Sequence, residues 1–103
     1  MREPTFFILS ALASGPAHGY LVMQRVAELS DGRVRVRPGT LYSALDRLLD
    51  DGSLEVESEE VVEGRSRRVY AITGAGREVL TAQVFRIEAN AAAARRELGL
   101  RPA

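Results

Sequence analysis

Backbone breakers punctuate the first three quarters of this chain, at Ser14-Gly15-Pro16, Ser30-Asp31-Gly32, Pro38, Gly52 and Gly64. Proline removes a backbone donor and fixes φ, and glycine favours turns, so only short elements fit between them. Thr5 to Ser14 is apolar on nearly all sides, with Phe6, Phe7, Ile8, Leu9, Ala11 and Leu12, and reads as a buried first helix. His18 to Leu29 places Val22, Met23, Val26 and Leu29 on one face and closes at Ser30-Asp31-Gly32, which predicts a second, amphipathic helix. Arg33-Val34-Arg35-Val36-Arg37 alternates at period two but is short. Pro38 restricts Arg37 to extended backbone, so the segment is a short strand or an extended linker. Pro38 also suits the first turn of a third helix, where Leu41, Leu45, Leu48 and Leu49 recur at helical spacing as far as about Asp51. Leu54 to Val62 and Arg67 to Ile72 are two β-leaning runs joined through Glu63-Gly64-Arg65-Ser66, a hairpin. Thr73 is a candidate N-cap, although Gly74 and Gly76 weaken the first turn; Arg77 to Leu98 is helical, and Gly99 and Pro102 close it.

The order is helix, helix, helix, hairpin, helix. That is a mainly α, α+β plan: a winged helix-turn-helix, whose third helix enters a major groove while the hairpin lies along the backbone. It predicts a DNA-binding domain over 1–73, a fourth helix over 74–98 outside that plan, and a tail at 99–103. The 103 residues suffice for one core. With no cysteine and the single His18, disulfides and thiolate or imidazole-cluster metal sites are excluded, and neither metal nor cofactor is expected. No apolar run approaches the roughly 20 residues of a membrane span, so no membrane partner is expected and the chain reads as cytoplasmic.

The net charge is zero, yet it is a cancellation. Residues 1–49 carry six Arg against four acids, 50–63 seven acids and no base, and 64–77 four Arg and no acid. On the third helix the leucines cluster to one side and leave Gly39, Thr40, Ser43, Asp46, Arg47 and Asp50 on the other. A small, hydroxylated N-terminal half allows close approach to a groove, with hydroxyls or Arg47 to reach base edges. Tyr42 stands at the border, able to pack its ring and direct its hydroxyl at a phosphate. A solvated helix face would show the same periodicity. Arg65, Arg67 and Arg68 crowd the hairpin tip, where Glu57, Glu59, Glu60 and Glu63 or a phosphate backbone could neutralise them. Arg33, Arg35 and Arg37 precede the third helix and would add phosphate contacts, or form a solvated loop.

In the fourth helix Leu80, Val84, Ile87, Ala91, Ala94 and Leu98 recur at spacings of 4, 3, 4, 3 and 4, a seam of 3.5-residue period. Such a seam seeks a partner helix, on its own domain or on a second copy. Dimerisation is the better use, because a two-fold axis presents two recognition helices to a palindromic site about 34 Å apart. Phe6, Phe7 and Phe85 can add the apolar area that the alanines lack.

Together, His18-Gly19-Tyr20, Pro38-Gly39-Thr40-Leu41-Tyr42 with Ala44-Leu45 and Arg47-Leu48, Gly52, Gly64-Arg65 with Arg67-Arg68 and Tyr70, and Ile72-Thr73 before Gly76-Arg77 resemble the PadR family of bacterial transcriptional regulators. The match runs from residue 5 to about 80. The resemblance implies a homodimeric winged-helix repressor, bound to double-stranded operator DNA and released by a small molecule or stress signal. It implies DNA contacts from Tyr20, Arg35, Arg37, Gly39, Thr40, Tyr42, Ser43, Arg47, Arg65, Arg67 and Arg68, and a dimer interface from Phe6, Phe7 and the seam residues Leu80 to Leu98. The length matches the family's short form, in which an effector would bind near the dimer interface; without tryptophan, a site built on tryptophan stacking is excluded. Ser43 stands where a proline is common, Val69 where the wing often has an aromatic, and Arg37 where a small N-cap is usual. The competing reading is a winged-helix protein-interaction module docking through its acidic run, Asp50 to Glu63. No nucleophile–base pair, carboxylate pair or phosphate loop points to an enzyme.

Overall fold

Pro4 opens helix α1 (Glu3–Ala13) in its first turn, where a missing N–H costs nothing. The fold, taken from a computed structural model, is described for residues 1–101, so Pro102 and Ala103 of the expected tail lie outside the described residues. Ile8, Leu9, Ala11 and Leu12 of α1 are buried in the core, whereas Phe6 and Phe7 are only half-buried. The last turn of α1 has no basic residue of its own. Two guanidiniums from elsewhere serve its carbonyls: Arg25 donates to Ala11 O at 3.0 Å, and to Gly15 O just past the helix at 2.9 Å, while Arg77 donates to Ala13 O at 2.9 Å.

A two-residue strand, β1 (Ala17–His18), precedes helix α2 (Gly19–Leu29). His18 is the N-cap, its Nδ1 accepting from Leu21 N at 3.3 Å. Val22 and Val26 are buried, but Leu29, expected on the same face, is exposed. The chain turns at Ser30 and brings Val34 against the core at that end instead. Ser30 is fully buried and its Oγ accepts from Val34 N at 3.0 Å, which anchors the segment that follows. Residues 33–37 join no ladder, so of the two readings the extended linker is the observed one.

Helix α3 (Pro38–Asp50) buries Leu41, Ala44, Leu45 and Leu48. The hairpin follows as β2 (Leu54–Val62) and β3 (Arg65–Ile72). Its joint is tighter than the four residues expected: Glu63 and Gly64 alone form the turn, at φ 52° and 77°. Two consecutive positive φ values give the hairpin turn whose twist matches the strands, and Arg65 is thereby drawn into the ladder opposite Val62. A bulge between Val56 and Ser58 shifts the register at Glu57. The sheet order is β1-β3-β2, all antiparallel, with Ala17 opposite Tyr70 and His18 opposite Val69.

Helix α4 (Gly74–Leu98) has the bounds expected for the fourth helix, and its first turn spans both glycines because Thr73 Oγ1 accepts from Gly76 N at 3.0 Å as the N-cap. Gly99 closes it in the left-handed region, at φ 70°. Leu80 packs against the core, whereas Phe85, Ile87 and Leu98 are exposed, and the molecule is 58 Å long. Among the described residues, no buried side-chain nitrogen or oxygen lacks a hydrogen-bond partner.

Candidate nucleic-acid interface

The leucine seam that seats α3 in the core turns its other face outward, so Gly39, Thr40, Ser43, Asp46, Arg47 and Asp50 are exposed as their spacing predicted, and the border residue Tyr42 is exposed as well. Arg37, the N-cap, makes no side-chain capping bond. Pro38 has no N–H, so the donors left open in the first turn sit beside the two smallest outward positions, Gly39 and Thr40.

Two open grooves flank this face. One, of about 540 Å³, lies between α3 and the start of α1, lined by Arg2, Pro4, Thr5, Gly39, Thr40, Ser43, Ala44 and Arg47. Here Arg47 leans toward α1, its Nη2 donating to Thr5 Oγ1 at 3.4 Å. The other groove, of about 390 Å³, lies between α3, the start of α2 and the wing, and brings together Tyr20, Tyr42, Asp46, Arg67, Arg68 and Tyr70. Tyr42 lies over Gly19: a Cβ there would come within 2.5 Å of its hydroxyl. The Tyr42 hydroxyl therefore sits at the N-terminus of α2, while Tyr20 projects from that terminus 61% exposed. Burial pushes the Tyr70 phenol up from its usual range, with Arg68 opposing and Tyr42 and Asp46 reinforcing the shift.

The linker arginines divide. Arg33 Nε donates to Ser30 O at 3.0 Å, and Arg35 folds back toward the Gly32 turn, 3.6 Å from the position of a Cβ there. Arg37 is exposed beside the start of α3. On the wing, Arg67 Nε meets Glu60 Oε2 at 3.1 Å and Arg68 Nε meets Glu59 Oε1 at 3.8 Å, so both are paired across the hairpin. Arg65 makes no ion pair among the described residues.

The dimer-seam residues split in two. Leu80 is turned to the core of its own protomer and Val84 is half-buried, while Ile87, Ala91, Ala94 and Leu98 are exposed. Phe6 and Phe7 meet edge to face, ring centroids 5.4 Å apart, and Phe7 packs on the core. Sequence reasoning missed β1, too short to show a pattern, and the capping of α1 by Arg25 and Arg77, which has no local signal. Among the described residues there is no cluster of potential metal ligands and no helix long and apolar enough to cross a membrane.

Residues 8–82 match the model of the transcriptional regulator PadR-like family. The transcriptional regulator Rv3488 of Mycobacterium tuberculosis is 50% identical over 74 residues, which are 72% of this chain and 65% of that protein, so the match spans less than two thirds of the relative's length. A transcriptional regulator from Clostridium thermocellum has the same fold at a TM-score of 0.77 and 25% identity, covering 89% of each chain. Bacillus subtilis PadR, solved in complex with operator DNA, shares the fold at a TM-score of 0.72 and 20% identity over 81% of this chain and 47% of that one. The family is one of transcriptional regulators rather than enzymes. On its motifs, its winged-helix fold and this match, the chain belongs to the PadR-like family of transcriptional regulators.

Proposed function

We propose that the chain acts as a homodimeric repressor on a palindromic operator, reading DNA with residues 1–73 and pairing through 74–98. The observation that carries this reading is the outward face of α3: small and hydroxylated at its N-terminal half, with open grooves on both sides. Gly39 allows close approach so that Thr40 and Ser43 read base edges, while Tyr20, Tyr42, Arg35, Arg37 and Arg65 hold phosphates. Arg47, Arg67 and Arg68 each meet a protein partner through one nitrogen, which leaves further guanidinium donors for the duplex. Bacillus subtilis PadR, a protein of the same fold solved in complex with operator DNA, supports DNA as the partner. The exposed Ile87, Ala91, Ala94 and Leu98 seam supports pairing through α4, and a small-molecule effector would act near that interface.

The test is an electrophoretic shift of the duplex upstream of the chain's own gene. Thr40→Ala with Ser43→Ala should weaken operator binding by about 1–3 kcal/mol per lost base contact and spare random DNA. Ile87→Glu with Leu98→Glu should yield a monomer by sedimentation and lose the operator; a persisting dimer would move the interface elsewhere. A second reading, a protein-interaction module, is favoured by the pairing of Arg67 and Arg68 with glutamates. It requires that the wild-type protein fail to shift any duplex at low salt.

A further inference from the structure

The hairpin from Leu54 to Ile72 carries five glutamates and three arginines, a net negative charge on an element that a winged-helix protein lays along a phosphate backbone. Their placement is specific. Glu59 stands directly opposite Arg68 and Glu60 opposite Arg67 in the antiparallel register, and each pair is closed by an ion pair. Ser66 Oγ also donates to Glu59 Oε2 at 3.2 Å, which holds that carboxylate over the hairpin. Successive residues of a strand point to opposite faces, so one pair lies on each face. Whichever face meets a duplex therefore presents a carboxylate beside its guanidinium. All four side chains are close to half exposed, and such pairs contribute little to stability, so folding does not account for them.

We propose that Glu59 and Glu60 are built-in counter-ions of the wing, which neutralise Arg67 and Arg68 and hold down sequence-independent affinity for DNA. The inference rests on the DNA-binding reading above. Sequence-independent binding is driven by release of cations condensed on the phosphates, by an amount set by how many phosphates the protein neutralises. An arginine already matched by a carboxylate 3.1 or 3.8 Å away brings no net charge to a phosphate and releases no cation. The wing then contributes through Arg65 and through shape, and the operator must be held by α3 and by the second protomer.

Fluorescence anisotropy of the full chain on a random-sequence duplex, from about 50 to 200 mM salt, tests this. Glu59→Gln with Glu60→Gln should steepen the slope of log K against log salt by about 1.8 per protomer and tighten binding tenfold or more near 100 mM. The quadruple variant that also carries Arg67→Gln and Arg68→Gln should return to the wild-type slope, because in the wild type the four charges already cancel. Glu28→Gln with Glu78→Gln makes the same charge change away from the wing and should leave the slope alone. An unchanged slope in the double wing variant overturns the proposal, as does a quadruple variant shallower than the wild type, which would mean that the arginines reach phosphates despite the glutamates. A wild-type protein that binds no duplex at all would overturn the DNA-binding reading and this inference together.

Discussion

Gly76→Ala should destabilise the protein, although helix propensity alone predicts the opposite. Gly76 lies in the first turn of α4 and is buried. A Cβ built there would stand 2.9 Å from Ile72 Cγ1 and 3.0 Å from the Ser53 carbonyl carbon, and closer still to Ser53 O. The obstacle is backbone, so it cannot rotate aside. Ser53 O also accepts from Thr73 N at 3.0 Å, the bond that ties the start of α4 to the loop before β2. Relieving the overlap costs about 1–3 kcal/mol of overpacking and about 1 kcal/mol for the strained bond. The gain of alanine over glycine in a helix is at most about 1 kcal/mol. The net is a loss of about 2 kcal/mol, or a Tm lower by about 8–16 °C for a domain of this size. Gly74 is the control: the same Cβ would meet nothing within 4 Å, so Gly74→Ala should hold or raise the Tm. Thermal unfolding by circular dichroism measures both, and a Gly76→Ala protein as stable as the wild type would refute the close packing of α4 on the 52–54 loop.

Three further outcomes are expected. Ser30→Ala strands the buried Val34 N–H and should cost about 1–3 kcal/mol in urea unfolding, with proteolysis of the 33–37 linker quickened at native conditions. Tyr70, whose phenol burial pushes up, stabilises the fold below pH 10, and that contribution disappears as the pH rises through the folded-state value; Tyr70→Phe should flatten the alkaline decline in urea midpoint between about pH 9 and 11. Gly19→Ala overlaps the Tyr42 hydroxyl and the ring edge beside it, but that side chain is 46% exposed and can swing outward, so the Tm should fall by little while duplex binding weakens; a large Tm loss would place Tyr42 in the core rather than at the interface.

The helices and both long strands were legible because each is a local pattern. Leu41, Leu45 and Leu48 announce which face of α3 is buried, and by subtraction which face is offered to a partner. Leu29 misled, since periodicity continues to the end of a helix whether or not anything packs there. The β-leaning runs leave Glu63 to Ser66 between them as a four-residue joint, whereas two positive φ values at Glu63 and Gly64 let Arg65 pair.

What the sequence by itself determined is the set of elements, their order and the outward face of α3, all consequences of hydrophobic period and of where proline and glycine forbid continuation. What only the tertiary structure decided is where the charges go. Arg25 and Arg77 cap α1 from 14 and 64 residues away along the chain, and Arg67 and Arg68 find Glu60 and Glu59 through the register of the hairpin. A guanidinium on a long flexible stem can reach any partner that folding brings near. Its role is therefore set by the distances between elements, and those do not exist until the core has packed.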